Sequence, residues 1–273
     1  MKKKIMVTSL FVCVLIGFMA LGFNFMSKAY PILDGSADWL KTTKIAHRGL
    51  YNNDKDIPEN SLSAFKKSIE NNFTIELDVQ LTKDNEIVVF HDYNLERMTG
   101  TNKDLSDMNY IDILDLKLIG TNEYIPTLQE VLDLVNGEVP ILIEIKNEGK
   151  VGKLETEVYR EIKNYNGDLA IQSFNPFVLS WFKDNAKDVI RGQLAGSLDD
   201  TDNPQYQKFI LSNLLMNFES KPAFIIYEIK ELPNWVVKHQ RKNGTPIIGW
   251  TVTSKDDLNN ALDNCDNIIF EEF

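Results

Sequence analysis

Short hydrophobic runs recur along this chain, separated by segments of helical length. Nine runs have the composition of β-strands, at residues 45–48, 74–81, 87–91, 141–145, 169–173, 190–194, 224–227, 247–252 and 267–271. Most of them are bordered by a stretch long enough for a helix, and such alternation is typical of a parallel sheet covered by helices.

Two of the predicted strands lie too close together to be parallel neighbours. Only residues 82–86 separate strand 74–81 from strand 87–91, whereas a parallel crossover needs about a dozen residues or more. We therefore predict an antiparallel hairpin at the second strand. The remaining strands predict an α/β fold, a (β/α)8 TIM barrel over residues 44–273. An open doubly wound sheet is the alternative, although no glycine-rich loop follows the first strand.

Two helices carry clear start signals. Residues 61–71 follow Pro58-Glu59-Asn60, and either Asn60 or Ser61 can act as the N-cap. Residues 128–135 follow Thr127, and Glu130 lies three residues further on, which predicts a capping box.

The N-terminus has a different pattern. Lys2, Lys3 and Lys4 precede an apolar-to-small run from residue 5 to about residue 26, which is long enough for the ~30 Å hydrocarbon core of a bilayer. Basic residues stay in the cytoplasm. We therefore predict one transmembrane helix in residues 1–30, a linker in residues 31–43, and a cell-membrane protein with its C-terminal domain outside the cytoplasm. The alternative is a signal peptide cleaved near Ala29, which gives a secreted protein.

Charge and cysteine content narrow the possible partners. The formal net charge is −11, and the part after residue 30 carries −15 once the four lysines of residues 1–30 are removed. Such a surface repels nucleic acid, so we expect no nucleic-acid partner. Cys13 and Cys265 are the two cysteines, too few for a disulfide framework or a zinc ligand set. The sequence does not specify an oligomeric state.

Three carboxylates interrupt the apolar strands. Glu76 and Asp78 are two residues apart and therefore face the same side of one strand, and Glu144 lies in another strand. Buried carboxylates need a cation to stay charged, and oxygen ligands without cysteine favour Ca2+ or Mg2+. The alternative is a set of internal salt bridges from Asp78 and Glu144 to Arg48 and Lys146.

Two histidines are candidates for proton transfer. His47 ends the first predicted strand and His91 ends the hairpin arm. Barrel active sites form at the C-terminal ends of the strands, and two histidines near one substrate can act as general base and general acid. His91 reaches that end only if the hairpin folds back across it. His239 lies in a predicted helix, and we assign it no role.

Arg48 and Lys146 are the candidates for binding an anionic group such as phosphate. Arg48 follows His47 directly, so by strand alternation its side chain points away from the His47 side. Only the loop at Gly49 can turn the Arg48 side chain back toward the His47 side.

Motifs surround these candidates over residues 44 to about 270. They are His47-Arg48-Gly49, Pro58-Glu59-Asn60-Ser61, Glu76-Leu77-Asp78-Val79, His91-Asp92, Ile143-Glu144-Ile145-Lys146, Gln172-Ser173-Phe174-Asn175 and Trp250-Thr251-Val252. Their order and spacing resemble those of the glycerophosphodiester phosphodiesterase family. The resemblance implies a barrel that uses a divalent cation, Ca2+ or Mg2+, to hydrolyse glycerophosphodiesters to glycerol 3-phosphate and an alcohol.

The resemblance also implies a role for each matching residue. One histidine would deprotonate the glycerol 2-hydroxyl or a water, and the other would protonate the departing alkoxide. Attack by the 2-hydroxyl would give a cyclic phosphate, which water then opens. The implied acid–base pair is His47 and His91, the metal ligands are Glu76, Asp78 and Glu144, the phosphate-binding residues are Arg48 and Lys146, and Trp250 lines the pocket near the glycerol.

Two segments depart from the family pattern. The stretch before Glu76 contains Phe73 where the family has a Gly-Ala-Asp-like sequence, and the last strand contains Phe270 and then Glu271 and Glu272 instead of a Thr-Asp-like end followed by proline. These differences put the substrate in question. The alternatives are a phospholipase that acts on lysophospholipids or other membrane lipids, and a non-catalytic binding barrel.

Overall fold

The chain adopts a closed barrel in a computed structural model. The structure describes residues 2–52, 56–147, 149–199, 201 and 203–273, with side chains from residue 13 onward. Within these residues, no helix is both long enough and apolar enough to cross a membrane. The predicted span at residues 1–30 includes side chains that lie outside the described ones, so it stays a prediction.

A single mixed sheet forms the centre of the fold. Its strands in the described part of the chain are β1 (Ile45–Ala46), β2 (Thr74–Leu81), β3 (Ile87–Val89), β4 (Ile141–Ile145), β5 (Leu169–Ser173), β6 (Ile190–Ala195), β7 (Phe224–Glu228), β8 (Ile247–Val252) and β9 (Asn267–Phe270). Their order is β1-β9-β8-β7-β6-β5-β4-β2-β3, and an additional β1–β2 pairing closes the sheet. The open, doubly wound alternative is therefore wrong.

The closed part of the sheet contains eight parallel strands among the described residues, which confirms the predicted (β/α)8 barrel. Strand β3 lies outside this ring and pairs antiparallel with β2, with Val79 opposite Val89. β1 and β3 are shorter than predicted, so His47 and His91 lie in the turns that follow them.

Helices cover the outside of the barrel. The described α-helices are α1 (Lys2–Ser27), α2 (Trp39–Thr42), α3 (Leu62–Glu70), α4 (Glu96–Thr99), α5 (Tyr110–Ile113), α6 (Leu128–Val135), α7 (Lys153–Ile162), α8 (Pro176–Asn185), α9 (Gln205–Ser212), α10 (Asn217–Ser220), α11 (Trp235–Lys242) and α12 (Lys255–Asn264). The capping box of Thr127 and Glu130 is confirmed at α6. At α3 the N-cap is Ser61 and not Asn60.

The two faces of β2 pack into different layers. Ile75, Leu77 and Val79 are fully buried against the covering helices, whereas Glu76 and Asp78 point the other way, into the barrel. This alternation follows from the two-residue period of a strand and places the carboxylates in the interior.

The N-terminal end of the barrel is covered by residues predicted as a linker. Trp39 and Leu40 of α2 are buried with the interior side chains of several strands. Asn267, the first residue of β9, donates from Nδ2 to Leu40 O (2.9 Å) and Thr43 O (2.7 Å). Residues 39–43 thus close the end opposite the C-terminal ends of the strands.

Candidate active site

A pocket opens at the C-terminal ends of the barrel strands. Its lining consists of His47, Arg48, Glu76, His91, Glu144, Lys146, Gln172, Phe174, Leu194, Trp250 and Ile269. The structure therefore brings together the residues that the sequence singled out, with Asp78 buried beside the lining residues. His239 lies elsewhere, on α11, where its Nε2 is 3.1 Å from Asn24 Oδ1.

Three carboxylates form a cluster inside the pocket. Parallel pairing of β2 with β4 sets Asp78 beside Glu144, and Glu76 lies on the same face of β2. One oxygen from each of Glu76, Asp78 and Glu144 lies within 4.8 Å of the others, and all three residues are buried. Such an arrangement of hard oxygen donors can coordinate a divalent cation.

Burial and neighbouring charges shift the three carboxyl groups unequally. Burial, reinforced by Asp78 and Glu144, raises the pKa of Glu76 well above its usual value. Burial also raises the pKa of Glu144. Burial opposes ionisation of Asp78 as well, but Lys146, His91 and Arg48 outweigh it and hold the Asp78 pKa below its usual range.

The predicted internal salt bridges are present in part. Lys146 Nζ lies 3.4 Å from Glu144 Oε1 and 3.7 Å from Asp78 Oδ1, and Arg48 Nε lies 3.6 Å from Asp78 Oδ2. Glu76 instead accepts hydrogen bonds from the Arg48 backbone N–H (2.9 Å) and Gln172 Nε2 (3.1 Å). These neutral donors do not balance its charge, so the donor set fits an added cation.

A tight turn brings Arg48 into the pocket. Arg48 and Gly49 have left-handed backbone angles, with φ of 53° and 78°, which reverses the direction expected from strand alternation. Arg48 Nη1 donates to Glu59 Oε1 (2.6 Å), while its buried Nε has no hydrogen-bond partner among the described residues. Glycine is required at position 49 because an added Cβ would lie 2.9 Å from Ala64 Cβ.

His47 is held by a carboxylate from the end of the chain. Its Nδ1 lies 2.8 Å from Glu271 Oε1. The hydrogen bond to His47 lowers the pKa of Glu271, and the Tyr51 hydroxyl acts in the same direction. A carboxylate on Nδ1 fixes the tautomer and leaves Nε2 for chemistry.

His91 is held by a larger network of charges. Its Nδ1 lies 2.7 Å from Asp92 Oδ1, and Arg97 donates to the same carboxylate from Nε (2.6 Å) and Nη2 (3.0 Å). Arg97 also donates to Glu59 from Nη2 (2.7 Å), and Glu59 in turn binds Arg48. Burial lowers the pKa of His91 below its usual value.

An apolar wall faces these polar groups. The Trp250 and Phe174 rings meet edge to face with centroids 5.6 Å apart, and Trp250 Nε1 donates to Ala195 O (3.3 Å). Lys146 Nζ lies 6.0 Å from the centre of the Tyr93 ring. The pocket thus combines the carboxylate cluster, two histidines, two cationic side chains and an aromatic side.

Several residues at the site were missed as functional candidates. Asp92, Glu59 and Gln172 belong to motifs around the candidates, so their positions in those motifs could have identified them as functional residues. Glu271 lay in a segment that departs from the family pattern, and its contact spans 224 positions of the sequence. Local spacing could not identify it.

Comparison with known proteins defines the family. A profile of the glycerophosphoryl diester phosphodiesterase family matches residues 47–267. The chain is 33% identical over 241 residues to the glycerophosphodiester phosphodiesterase of Caldanaerobacter subterraneus subsp. tengcongensis, which covers 82% of this chain and 90% of that protein.

Solved structures share the fold. A glycerophosphoryl diester phosphodiesterase of Silicibacter pomeroyi, 19% identical, has a TM-score of 0.72 over 86% of this chain and 93% of that one. An Oleispira antarctica phosphodiesterase in complex with the product sn-glycerol-3-phosphate, 20% identical, has a TM-score of 0.69 over 84% and 92%. The chain belongs to the glycerophosphoryl diester phosphodiesterase family and is a phosphoric diester hydrolase of that kind.

Proposed function

We propose that the chain hydrolyses glycerophosphodiesters to glycerol 3-phosphate and an alcohol, with a divalent cation at the carboxylate cluster and His47 and His91 as its acid–base pair. The observation that carries this proposal is the convergence of both histidines, each held by its own carboxylate, on a pocket in which the described hydrogen-bond donors to Glu76 are neutral. The product complex of the Oleispira antarctica phosphodiesterase supports the same product here.

Glu76, Asp78 and Glu144 are the proposed cation ligands. Their oxygens are hard donors at short mutual distances, and this favours Ca2+ or Mg2+ over a thiol-seeking metal. When bound, the cation would polarise the phosphoryl oxygens. Arg48 and Lys146 then complete the phosphate site, because the buried Arg48 Nε is without a hydrogen-bond partner in the described structure and a guanidinium matches phosphate oxygens.

The histidines move the protons of the reaction. One histidine accepts the proton of the attacking glycerol 2-hydroxyl, and the other donates a proton to the departing alcohol oxygen. The same two histidines then transfer the protons when water attacks and opens the cyclic phosphate. Each positioned proton transfer contributes a factor of about 10²–10⁴ to the rate. Trp250 and Phe174 provide the apolar surface against which the glycerol carbons pack.

Release of glycerol 3-phosphate tests the reaction. The full chain is assayed with glycerophosphocholine in EDTA and again after Mg2+ or Ca2+ is restored, with lysophosphatidylcholine as the second substrate. We expect cation-dependent release of glycerol 3-phosphate from glycerophosphocholine. Turnover of lysophosphatidylcholine alone would assign the phospholipase alternative, and cation binding without any turnover would assign the binding barrel.

Substitution of the histidines tests their role separately. His47→Ala is expected to abolish turnover and to leave cation binding intact, because the carboxylate that His47 contacts, Glu271, is not one of the proposed cation ligands. Glu76→Ala is expected to remove both. Full activity of His47→Ala would contradict the acid–base assignment.

We also propose that residues 1–30 hold the chain in the cell membrane with the barrel outside the cytoplasm. The support is the sequence, in which three lysines precede the apolar run. Tyr30 N–H donates to Pro222 O (2.7 Å), just before β7, so this segment joins the barrel at the end opposite the pocket. Attachment there leaves the pocket open to water and favours a dissolved glycerophosphodiester over a lipid.

Cell fractionation tests the location. The barrel is expected in the membrane fraction and accessible to a protease added outside the cell. A shortened chain that begins near Ala29 and is recovered from the medium would favour the secreted alternative.

A further inference from the structure

The hairpin arm returns to the barrel along the edge of β2 that it shares with β1. Strand β4 occupies one edge of β2, and on the other edge β1 pairs with residues 74–75 and β3 with residues 79–81. Because β3 is antiparallel to β2, it runs from the end of β2 back toward the barrel. Phe90 N–H then donates to Asp78 O (3.0 Å), and His91 follows directly. The arm thus brings His91 to the level of Asp78.

A single side-chain amide holds the backbone on both sides of His91. Gln80 Nε2 donates to Phe90 O (2.8 Å), His91 O (3.1 Å) and Asp92 O (2.9 Å). Gln80 is only 5% exposed, and it lies two residues after Asp78 on the same face of β2. The amide therefore fixes the backbone of His91, whereas the Asp92 carboxylate fixes its imidazole.

Glutamine suits this position for a chemical reason. Its NH2 group provides two donor hydrogens without a charge, and these are shared among three consecutive carbonyl oxygens. A glutamate would place acceptors against the same carbonyls, and an asparagine is one methylene too short to reach them. Backbone carbonyls that lose a buried donor are costly to leave unpaired, so the segment would shift if Gln80 were replaced.

We propose that Gln80 is a positioning residue that holds His91 over the pocket through its backbone. The inference rests on the proposed function, in which His91 transfers a proton. The rate of such a transfer depends strongly on the distance and angle between the imidazole and the substrate. Gln80 exchanges no proton itself, and its loss acts on the reaction through His91.

Gln193 provides the matched control, because it makes the same kind of contact in another strand. Its Nε2 donates to Ser173 O (3.1 Å), Phe174 O (3.2 Å) and Leu194 O (3.2 Å), and it is 4% exposed. This amide holds the backbone at Phe174, on the aromatic side of the pocket, and not at a histidine. Loss of either amide leaves buried carbonyls without their donor, so the two losses should lower the denaturation midpoint by similar amounts.

Kinetics of Gln80→Met and Gln193→Met separate positioning from stability. Both full-length variants are assayed with glycerophosphocholine under saturating cation, and rates are expressed per folded molecule from circular dichroism. For Gln80→Met we expect kcat to fall about 10–100-fold with KM unchanged. For Gln193→Met we expect KM to rise and kcat to fall by no more than about 2–3-fold. Equal falls of kcat in the two variants would overturn the proposal, because they would show a purely structural effect.

The imidazole resonances give a readout that does not depend on turnover. The chain has three histidines, so each ring C–H signal can be assigned by substitution. Gln80→Met should shift or broaden the His91 signal and leave that of His239 in place, and Gln193→Met should leave both in place. An unchanged His91 signal in Gln80→Met would contradict the positioning role.

A second variant and the unchanged chain complete the experiment. Gln80→Asn keeps an amide but shortens its reach, so it should show the same fall in kcat and the same shift of the His91 signal, and it replaces Gln80→Met if that variant does not fold. If the unchanged chain releases no glycerol 3-phosphate, the proposed function itself fails. If the unchanged chain is active and both Gln80 variants keep its kcat, only the role of Gln80 fails.

Discussion

Glu76 and Asp78 lie two residues apart on the same face of β2, and their pKa values are shifted in opposite directions. Asp78 has Lys146 and Arg48 within 3.7 Å and also accepts from Asn60 Nδ2 (2.9 Å). The donors to Glu76 among the described residues, the Arg48 backbone N–H and Gln172 Nε2, are neutral. Glu76 is therefore the carboxyl group that most needs an added cation, and it should decide how the protein responds to metal removal.

Glu76→Gln should separate stability from cation binding. In the metal-free protein at neutral pH, the substitution is expected to stabilise the fold by roughly 1–3 kcal/mol, because a neutral amide replaces a buried carboxylate. Ca2+ or Mg2+ should stabilise the unchanged chain and not the variant. Urea denaturation with and without cation measures both effects. An equal cation response in the two proteins would contradict the ligand role of Glu76.

The contribution of Glu76 and Glu144 to the stability of the metal-free protein should fall as pH rises. Burial raises the pKa of Glu76 and Glu144 above 4.5. Between pH 4.5 and these raised pKa values, the folded state therefore binds more protons than the unfolded state. Linkage then gives a loss of stability that begins near 4.5 and continues through the raised folded-state pKa values. Denaturation midpoints of the unchanged chain and of Glu76→Gln, measured in EDTA at successive pH values, test this sign, because the opposite contribution of His91, whose pKa burial lowers, is common to both proteins. A midpoint of the unchanged chain that rises relative to the variant would contradict it.

A half-buried carboxyl group outside the cluster, that of Glu161, provides the control for that measurement. Burial, with help from Glu86 and Glu157, raises the pKa of Glu161 to about 7, and Glu161 lies away from the pocket. Saturating cation should remove only the part of the pH dependence that arises from the cluster. Glu161→Gln should remove only the part that arises from Glu161, whether or not cation is present.

Gly49 and Gly100 should differ in their tolerance of alanine. Both have positive φ, 78° and 74°, but a Cβ at position 49 would meet Ala64 and Phe65 at 2.9 Å while one at position 100 would meet nothing within 4 Å. We expect Gly100→Ala to cost about 1 kcal/mol through backbone strain, and Gly49→Ala to cost roughly 1–3 kcal/mol more. Equal denaturation midpoints for the two variants would show that the tight contact at Gly49 relaxes freely.

Much of the fold could be predicted because the relevant signals are local. The two-residue alternation of Ile75, Leu77 and Val79 identifies the outer face of β2, and the short spacing of residues 82–86 excludes a parallel crossover there. The same alternation places Glu76 and Asp78 inside the barrel. These inferences need only neighbouring residues, so the sequence contains them in full.

The remaining features depend on contacts between distant segments or on backbone angles. Strand alternation points Arg48 away from the pocket, and only its φ of 53° brings it back. Phe73 and Phe270 depart from the family pattern at separate places, yet their rings meet edge to face at 5.1 Å. Glu271 reaches His47 only because β9 closes the barrel against β1. No local pattern encodes such pairings.

Arg97 should affect catalysis without facing the pocket. It joins Asp92, which holds His91, to Glu59, which holds Arg48, and a planar guanidinium is needed to bind both carboxylates. We expect Arg97→Lys to lower kcat about 10-fold, within the range of losses found when a supporting hydrogen-bond partner is removed. Glycerol 3-phosphate release under saturating cation is the measurement.

Arg160→Lys is the matched control for Arg97→Lys. Arg160 also binds a carboxylate, because its Nη1 donates to both oxygens of Glu157 at 2.6 and 2.7 Å, but it lies exposed on α7. The same exchange there should leave kcat unchanged, because an exposed pair of this kind contributes only about 0.2–1 kcal/mol and contacts no pocket residue. If Arg97→Lys were as active as Arg160→Lys, the network through Glu59 and Asp92 would have no part in positioning Arg48 and His91.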